Sequence, residues 1–251
     1  MRRVRNREQL RRLGYVSAVS AVLVLSAATT ACANISDDSG VIALEVQQPV
    51  PPVVEVGDTF ALTARALDRD GNPVDVPIDW RTPDPANLFV EPTTGRVAGL
   101  VPGTIGRVQA TQGSLVSDLI SLTVTLRADS VAIVPDTLTV DPLSTTSAPL
   151  VSRVLTLVEG VYVGLPGRSV IYEIVEPAFT DPAARTVEFT GTGALADTVT
   201  TGGDGQPAAP VTLSRLTGIT APDTVEVSVR VLRRSGALVP GSGQRFVVAF
   251  Q

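Results

Sequence analysis

Cys32 is the only cysteine of a 251-residue chain that contains no histidine. Those two facts decide most of the chemistry. No Ser-His-Asp or Cys-His arrangement can be assembled, and no zinc, copper or iron site of the usual nitrogen and sulfur type is available. A lone cysteine also forms no intramolecular disulfide, so apolar burial and sheet hydrogen bonds must hold the fold. Two acidic groupings remain. Asp68, Asp70 and Asn72 around Gly71 place oxygen ligands at alternate positions, the opening pattern of a calcium loop. Pro73 follows, however, and the twelfth position is Asp79 where a glutamate is needed, so a hairpin turn is the expectation and metal is not. Glu173 and Glu176 could flank a glycosidic bond only across a cleft; a solvated strand face is the plainer account. The expected catalytic and metal residues are therefore none, the expected cofactors are none, and the expectation is not an enzyme.

Aromatic residues are few. Trp80 is the single tryptophan, and Tyr15, Tyr162 and Tyr172 are the only tyrosines. A sugar platform needs amphipathic rings free at the surface. Trp80 is in phase with Ile78, which predicts core packing, while Tyr162 or Tyr172 stay open as a small platform.

What surrounds Cys32 gives it meaning. Arg2, Arg3, Arg5, Arg7, Arg11 and Arg12 form a positive leader, and Val16 to Ala28 is an apolar run of 13 residues. Thr29, Thr30 and Ala31 then bring small residues up to the cysteine. That order is the layout of a secretory signal peptide. The segment resembles the signal of bacterial lipoproteins, with Thr29 where the family usually has leucine. The resemblance implies cleavage after Ala31, acyl chains such as palmitate on Cys32, and a lipid-anchored chain. Ala33 in place of aspartate is compatible, by the same resemblance, with the outer membrane. Three other readings stay open: an incidental cysteine in an ordinary cleavage region, a twin-arginine signal from Arg11-Arg12, and an uncleaved anchor. The last is the weaker because roughly 20 residues are needed to span hydrocarbon.

Taking the six leader arginines and Glu8 from 20 basic and 25 acidic residues leaves 14 and 24, a formal charge of −10. An acidic mature chain lacks the clustered positive charge that nucleic acid or an anionic membrane surface requires. No nucleic-acid partner is expected.

Residues 33–40 are small and polar and read as a tether from Cys32. From Val41 onward, short alternating apolar runs are broken by Pro, Gly, Asp and Asn every eight to twelve residues, the spacing of an all-β sandwich or barrel. Residues 41–127 form a first unit. Its inward candidates are Phe60, Leu62, Ala64, Ala66, Ile78, Trp80, Val97, Leu100, Ile105, Val108 and Ala110, and residues 119–126 form its closing strand. Residues 128–251 form a second unit. There the expected strands cover 130–140, 151–158, 208–213, 224–231 and 245–250, with 163–175 read as a turn and a longer strand and a polar turn at 198–205.

The first unit resembles the bacterial immunoglobulin-like domains of group 2. Four features carry the likeness: the Val56-Gly57-Asp58 turn, the hairpin DRDGNPV, Trp80 ahead of "TGRVAGLVPGT", and the closing strand. The second unit is similar to the group 1 immunoglobulin-like modules of invasin-type proteins through "GLPGRSVIYEI", "GGDGQPAAPVTL" and "DTVEVSVRVL". Together these imply two tandem immunoglobulin-like β-sandwiches behind a lipoprotein signal peptide. The expected function is non-enzymatic: presenting these modules at the cell envelope for adhesion or binding to an envelope or extracellular protein or glycan. A structural spacer and a polysaccharide-binding module are the alternatives. One observation separates them, since an adhesive module should expose an apolar or aromatic patch and a spacer should not.

Overall fold

Alternation of apolar and polar residues drives one face of most strands inward, which is the period-2 consequence of the pleat. Val225, Val227 and Val229 are buried along one strand, Phe246, Val248 and Phe250 along its neighbour, and Ile120, Leu122 and Val124 along a third. The computed structural model describes residues 40–179, 185–216, 218 and 223–251; Cys32 lies outside them. Among the described residues there is no helix long and apolar enough to cross a membrane.

Residues 43–125 supply β1 (Ala43–Gln47), β2 (Val53–Glu55), β3 (Thr59–Ala61), β4 (Thr63–Leu67), β5 (Pro73–Val74) and β6 (Asp79–Arg81). They continue with β7 (Leu88–Val90), β8 (Arg96–Gly99), β9 (Ile105–Gln112), β10 (Leu115–Val116) and β11 (Ile120–Thr125). Three sheets result: β1-β4-β5, β3-β8-β7, and β10-β9-β11-β2 with β6 also on β9. All pairings are antiparallel except β2 on β11.

Residues 130–250 supply β12 (Ser130–Ile133), β13 (Thr137–Val140), β14 (Ser152–Val158), β15 (Val161–Gly164) and β16 (Ser169–Glu176). After them come β17 (Val187–Phe189), β18 (Ala196–Thr200), β19 (Leu213–Arg215), β20 (Asp223–Arg230) and β21 (Arg245–Phe250). Their sheets run β12-β14-β15, β13-β21-β20-β16-β18 and β17-β19. The chain is thus all-β, with sheets layered over apolar interiors as in β-sandwiches.

The buried apolar residues form two clusters. One gathers Val54, Trp80, Leu88, Val97, Leu122 and Val124 among others. The second gathers Tyr172, Phe189, Leu213, Phe246 and Phe250, again among others. Tyr172 and Phe246 stack with centroids 6.4 Å apart. Among the described residues no strand pairing joins 43–125 to 130–250.

Several expectations change. Leu100 and Ile105 are 46% and 58% exposed. In β9 the inward face is Gly106, Val108 and Ala110, which leaves Ile105 on the opposite side. Leu100 follows Gly99, and it is Gly99 that packs inward, where an added Cβ would meet Val124 at 2.6 Å. The stretch 130–140 is not one strand: β12 pairs with β14, while β13 crosses to pair in parallel with β21. Residues 198–200 belong to β18, paired with β16, so the polar turn begins only at Thr201. Conversely, 208–212 are not a strand, and β19 starts at Leu213.

Candidate functional site

The acidic turn is occupied by its own backbone. Asp68 Oδ1 accepts from the amides of Asp70 and Asn72, both at 2.8 Å, and Oδ2 accepts from the Asn72 side chain at 3.3 Å. The Asn72 amide, foremost, holds the Asp68 carboxyl below the ordinary aspartate range. Gly71 takes φ +81°, as this turn requires. Among the described residues no group of three acidic side chains is placed to hold a metal ion. Glu173 pairs with Arg230 at 3.2 Å on the solvated face of the sheet. Glu176 stands opposite Glu226, whose carboxylate is taken by Arg245 at 2.7 Å. The geometry is a charged strand face on which each glutamate lies beside an arginine-bearing strand.

The aromatics divide cleanly. Trp80 is buried in the first cluster. Tyr172 is fully buried, its hydroxyl 2.6 Å from Ser152 Oγ, which removes it as a sugar platform. Burial pushes its phenol up to about 12, against a smaller opposing effect of the Ser152 hydrogen bond. Tyr162 is the exposed one, at 55%.

Tyr162 does not stand alone. In the hairpin β14–β15, Leu157 faces Tyr162 and Val158 faces Val161. All four side chains are exposed, as is Val163. Ser152, Val154 and Thr156 point inward on β14, so Leu157 is left on the outer face next to Tyr162. Among the described residues β15 is the outermost strand of its sheet, with β14 as its only strand partner. An apolar, aromatic-bearing strand with one free hydrogen-bonding edge is the arrangement on which an extended segment can dock.

A second feature lies where the two clusters meet, and composition and spacing did not point to it. On β2, Val54 enters the first cluster and Glu55 points the other way, yet both are fully buried. The far side of Glu55 is covered by Arg168 and Arg234. Arg168 Nη1 donates to Glu55 Oε1 at 2.5 Å, and Arg168 Nη2 donates to the carbonyl of Leu126. The amide of Arg234 also donates to Glu55 Oε1, at 3.1 Å, and its guanidinium donates to the Pro51 carbonyl at 2.9 Å. Glu55 Oε2 and, opposite it on β11, Thr125 Oγ1 are buried without a hydrogen-bond partner. A shallow groove of about 260 Å³ runs beside them, lined by Pro51, Val53, Leu165 and Arg234 among others.

The connecting residues are fastened on both sides. Arg127 donates to the Gly57 carbonyl at 3.3 Å and to Asp129 at 2.7 Å. Asp129 Oδ2 accepts from the Leu157 amide at 2.9 Å. Desolvation raises the Asp129 carboxyl, but the Leu157 amide and the arginines Arg127 and Arg233 outweigh it and hold it below the ordinary range. The one sequence signal for this junction was a charge among valines, Val53-Val54-Glu55-Val56, where an exposed glutamate is the usual outcome.

No known family profile matches the chain, and no curated protein matches it. Several solved structures are similar. The adhesin InvE of Yersinia pseudotuberculosis aligns at 16% identity and a TM-score of 0.34, over 86% of this chain and 62% of that one. Fibronectin(III)-like modules of CbhA from Clostridium thermocellum align at 14% identity and a TM-score of 0.36, over 82% and 92%. The D00-D0 domain of intimin aligns at 17% identity and a TM-score of 0.27, over 83% and 99%.

Proposed function

We propose that the chain is a non-enzymatic, lipid-anchored protein of the cell envelope that presents immunoglobulin-like sandwiches, residues 41–127 and 128–251, for binding a protein or glycan. Acyl chains on Cys32 would hold it in the outer membrane, and residues 33–40 would give reach. One acyl chain alone binds only marginally, so stable anchoring needs more than one. The observation that carries the binding reading is the exposed pair Leu157 and Tyr162 on the outer face of the β14–β15 hairpin, with Val158, Val161 and Val163 exposed on its other face. A spacer has no use for such a patch.

The spacer reading is favoured by a different observation, the buried hydrogen bonds that join the two clusters. The two readings are separated by comparing unaltered protein with the double variant Leu157→Ser, Tyr162→Ser on a glycan array and on immobilised envelope proteins. Both side chains are exposed, so the variant keeps its core. The proposal expects a ligand retained by the unaltered protein and lost by the variant. If nothing is retained, the spacer reading stands; if the variant retains the same ligand equally, the chain binds through another surface and the hairpin is not the binding site.

A further inference from the structure

Arg168 reaches out of the second cluster's sheets on a loop that its own unit holds rigid. Thr201 Oγ1 donates to the Leu165 carbonyl at 2.6 Å and accepts from the Arg168 amide at 3.0 Å. The Gly167 amide donates to the Thr201 carbonyl, the Thr201 amide donates back to the Arg168 carbonyl, and the Leu165 amide donates to Val154. Beneath this loop, backbone packs against backbone. A Cβ on Gly164 would fall 2.2 Å from the Asp204 backbone, and one on Gly205 would fall 2.3 Å from the Val154 carbonyl. Arg168 therefore arrives at Glu55 with its loop already fixed.

The receiving side is equally defined. Glu55 sits on β2, held in register by β11. Its Oε1 takes both the Arg168 guanidinium and the Arg234 amide. Beside it the Ser235 amide donates to Asp58 at 3.2 Å. The guanidinium bonds at once to a carboxylate and to the Leu126 carbonyl, so it recognises two points fixed on the first unit and its exit strand. A buried ion pair contributes little net stability compared with an apolar contact of the same shape, because desolvation offsets its attraction. Its directional demand is what an apolar contact lacks. A carboxylate stripped of water tolerates no relative rotation that removes its donors.

We propose that Arg168 is an orientation lock: by holding Glu55 and the Leu126 carbonyl together, it fixes the angle between the two units. Without it, the four-residue connection between β11 and β12 and the remaining bonds from Arg234 and Ser235 would leave the units to move as domains joined by small polar interfaces do. The lock also sets where the β14–β15 hairpin stands relative to the first unit, since Asp129 ties Leu157 to the connection.

The test uses full-length chain carrying Cys32→Ser, with spin labels at Arg69→Cys and Leu143→Cys, exposed turn positions in the two units. With Arg168 intact, the inter-label distance distribution should be single and narrow. Arg168→Met should make it roughly twofold wider or more, and Glu55→Gln, which keeps the shape and one acceptor, should widen it less. Arg107→Met, which breaks the exposed Asp84–Arg107 pair inside the first unit, should leave it unchanged. Far-ultraviolet circular dichroism and Trp80 emission report whether each variant is folded. A folded Arg168→Met with the unaltered width overturns the lock. So does loss of fold in both Arg168→Met and Glu55→Gln, which would make the pair a requirement of the cores and not of their orientation.

Discussion

The indole of Trp80 closes over Gly95 so tightly that a Cβ on Gly95 would lie 2.6 Å from Nε1. Gly95 also takes φ +66°, and its amide and carbonyl are engaged by Glu91 and Leu62. The tryptophan is thus seated by a turn that only glycine can make without displacement. The "TGR" run and Trp80 act as one packing unit.

Gly95→Ala should therefore cost more than backbone conformation alone. Gly71 also has positive φ, +81°, but open space where a Cβ would go. Gly71→Ala should cost about 1 kcal/mol for the left-handed backbone, and Gly95→Ala about 2–4 kcal/mol with the overpacking added. Urea unfolding followed by Trp80 emission measures both. Equal costs would show that the indole moves aside freely.

The buried phenol of Tyr172 predicts alkaline sensitivity. Its value rises from 10.0 to about 12 in the folded chain. A raised folded value means the stabilisation is complete below pH 10 and is lost as pH climbs through 12. That difference corresponds to roughly 2–3 kcal/mol. Tyr172→Phe should lose about 1 kcal/mol at neutral pH, because the bond to Ser152 goes. Above pH 10 it should be less pH-sensitive than the unaltered chain. Denaturant midpoints across pH 8–12 check this, and parallel curves for the two proteins would refute it.

Calcium should not matter to the DRDGNP turn. With both Asp68 oxygens already accepting hydrogen bonds, chelator or added calcium should leave the melting temperature unchanged. A rise of several degrees with calcium would mean a native-state ligand site exists there.

Alternation was what made this fold legible. Val225 to Val229, Phe246 to Phe250 and Ile120 to Val124 read directly from period 2, because each strand buries one face only. The same signal misplaced Ile105, since a glycine, Gly106, holds the inward slot and carries no apolar mark. It also could not show that β12 and β13 part to different sheets, because which partner a strand takes is a long-range choice. Ser152 and Thr156 inside β14, with Leu157 outside, invert the expected pattern. The inner hydroxyl of Ser152 serves Tyr172, and the outer leucine forms the exposed hairpin. Glu55 escaped for a similar reason: both faces of β2 are buried, one in the first cluster and the other under Arg168 and Arg234, and alternation describes only one.

The division at residues 127 and 128 makes a further prediction. The two apolar clusters share no residue, and Glu55, freed of Arg168, would simply face water. Residues 41–127 and 128–251 should each fold alone, each melting in one transition as expected below about 150 residues. Trp80 emission in the first piece should be blue-shifted. An unfolded 41–127 with red-shifted emission would show that the two clusters depend on one another.

The proposed function rests most heavily on Cys32, and the mature N-terminus tests it directly. Protein isolated from envelope membranes should yield, by mass spectrometry, an N-terminal peptide beginning at Cys32 and carrying diacylglyceryl mass. Cys32→Ser should abolish that species and release the chain from membranes or leave it uncleaved. An unmodified Cys32 inside a peptide that continues from residue 31, or a mature Cys32→Ser chain that still fractionates with membranes, would contradict lipid anchoring.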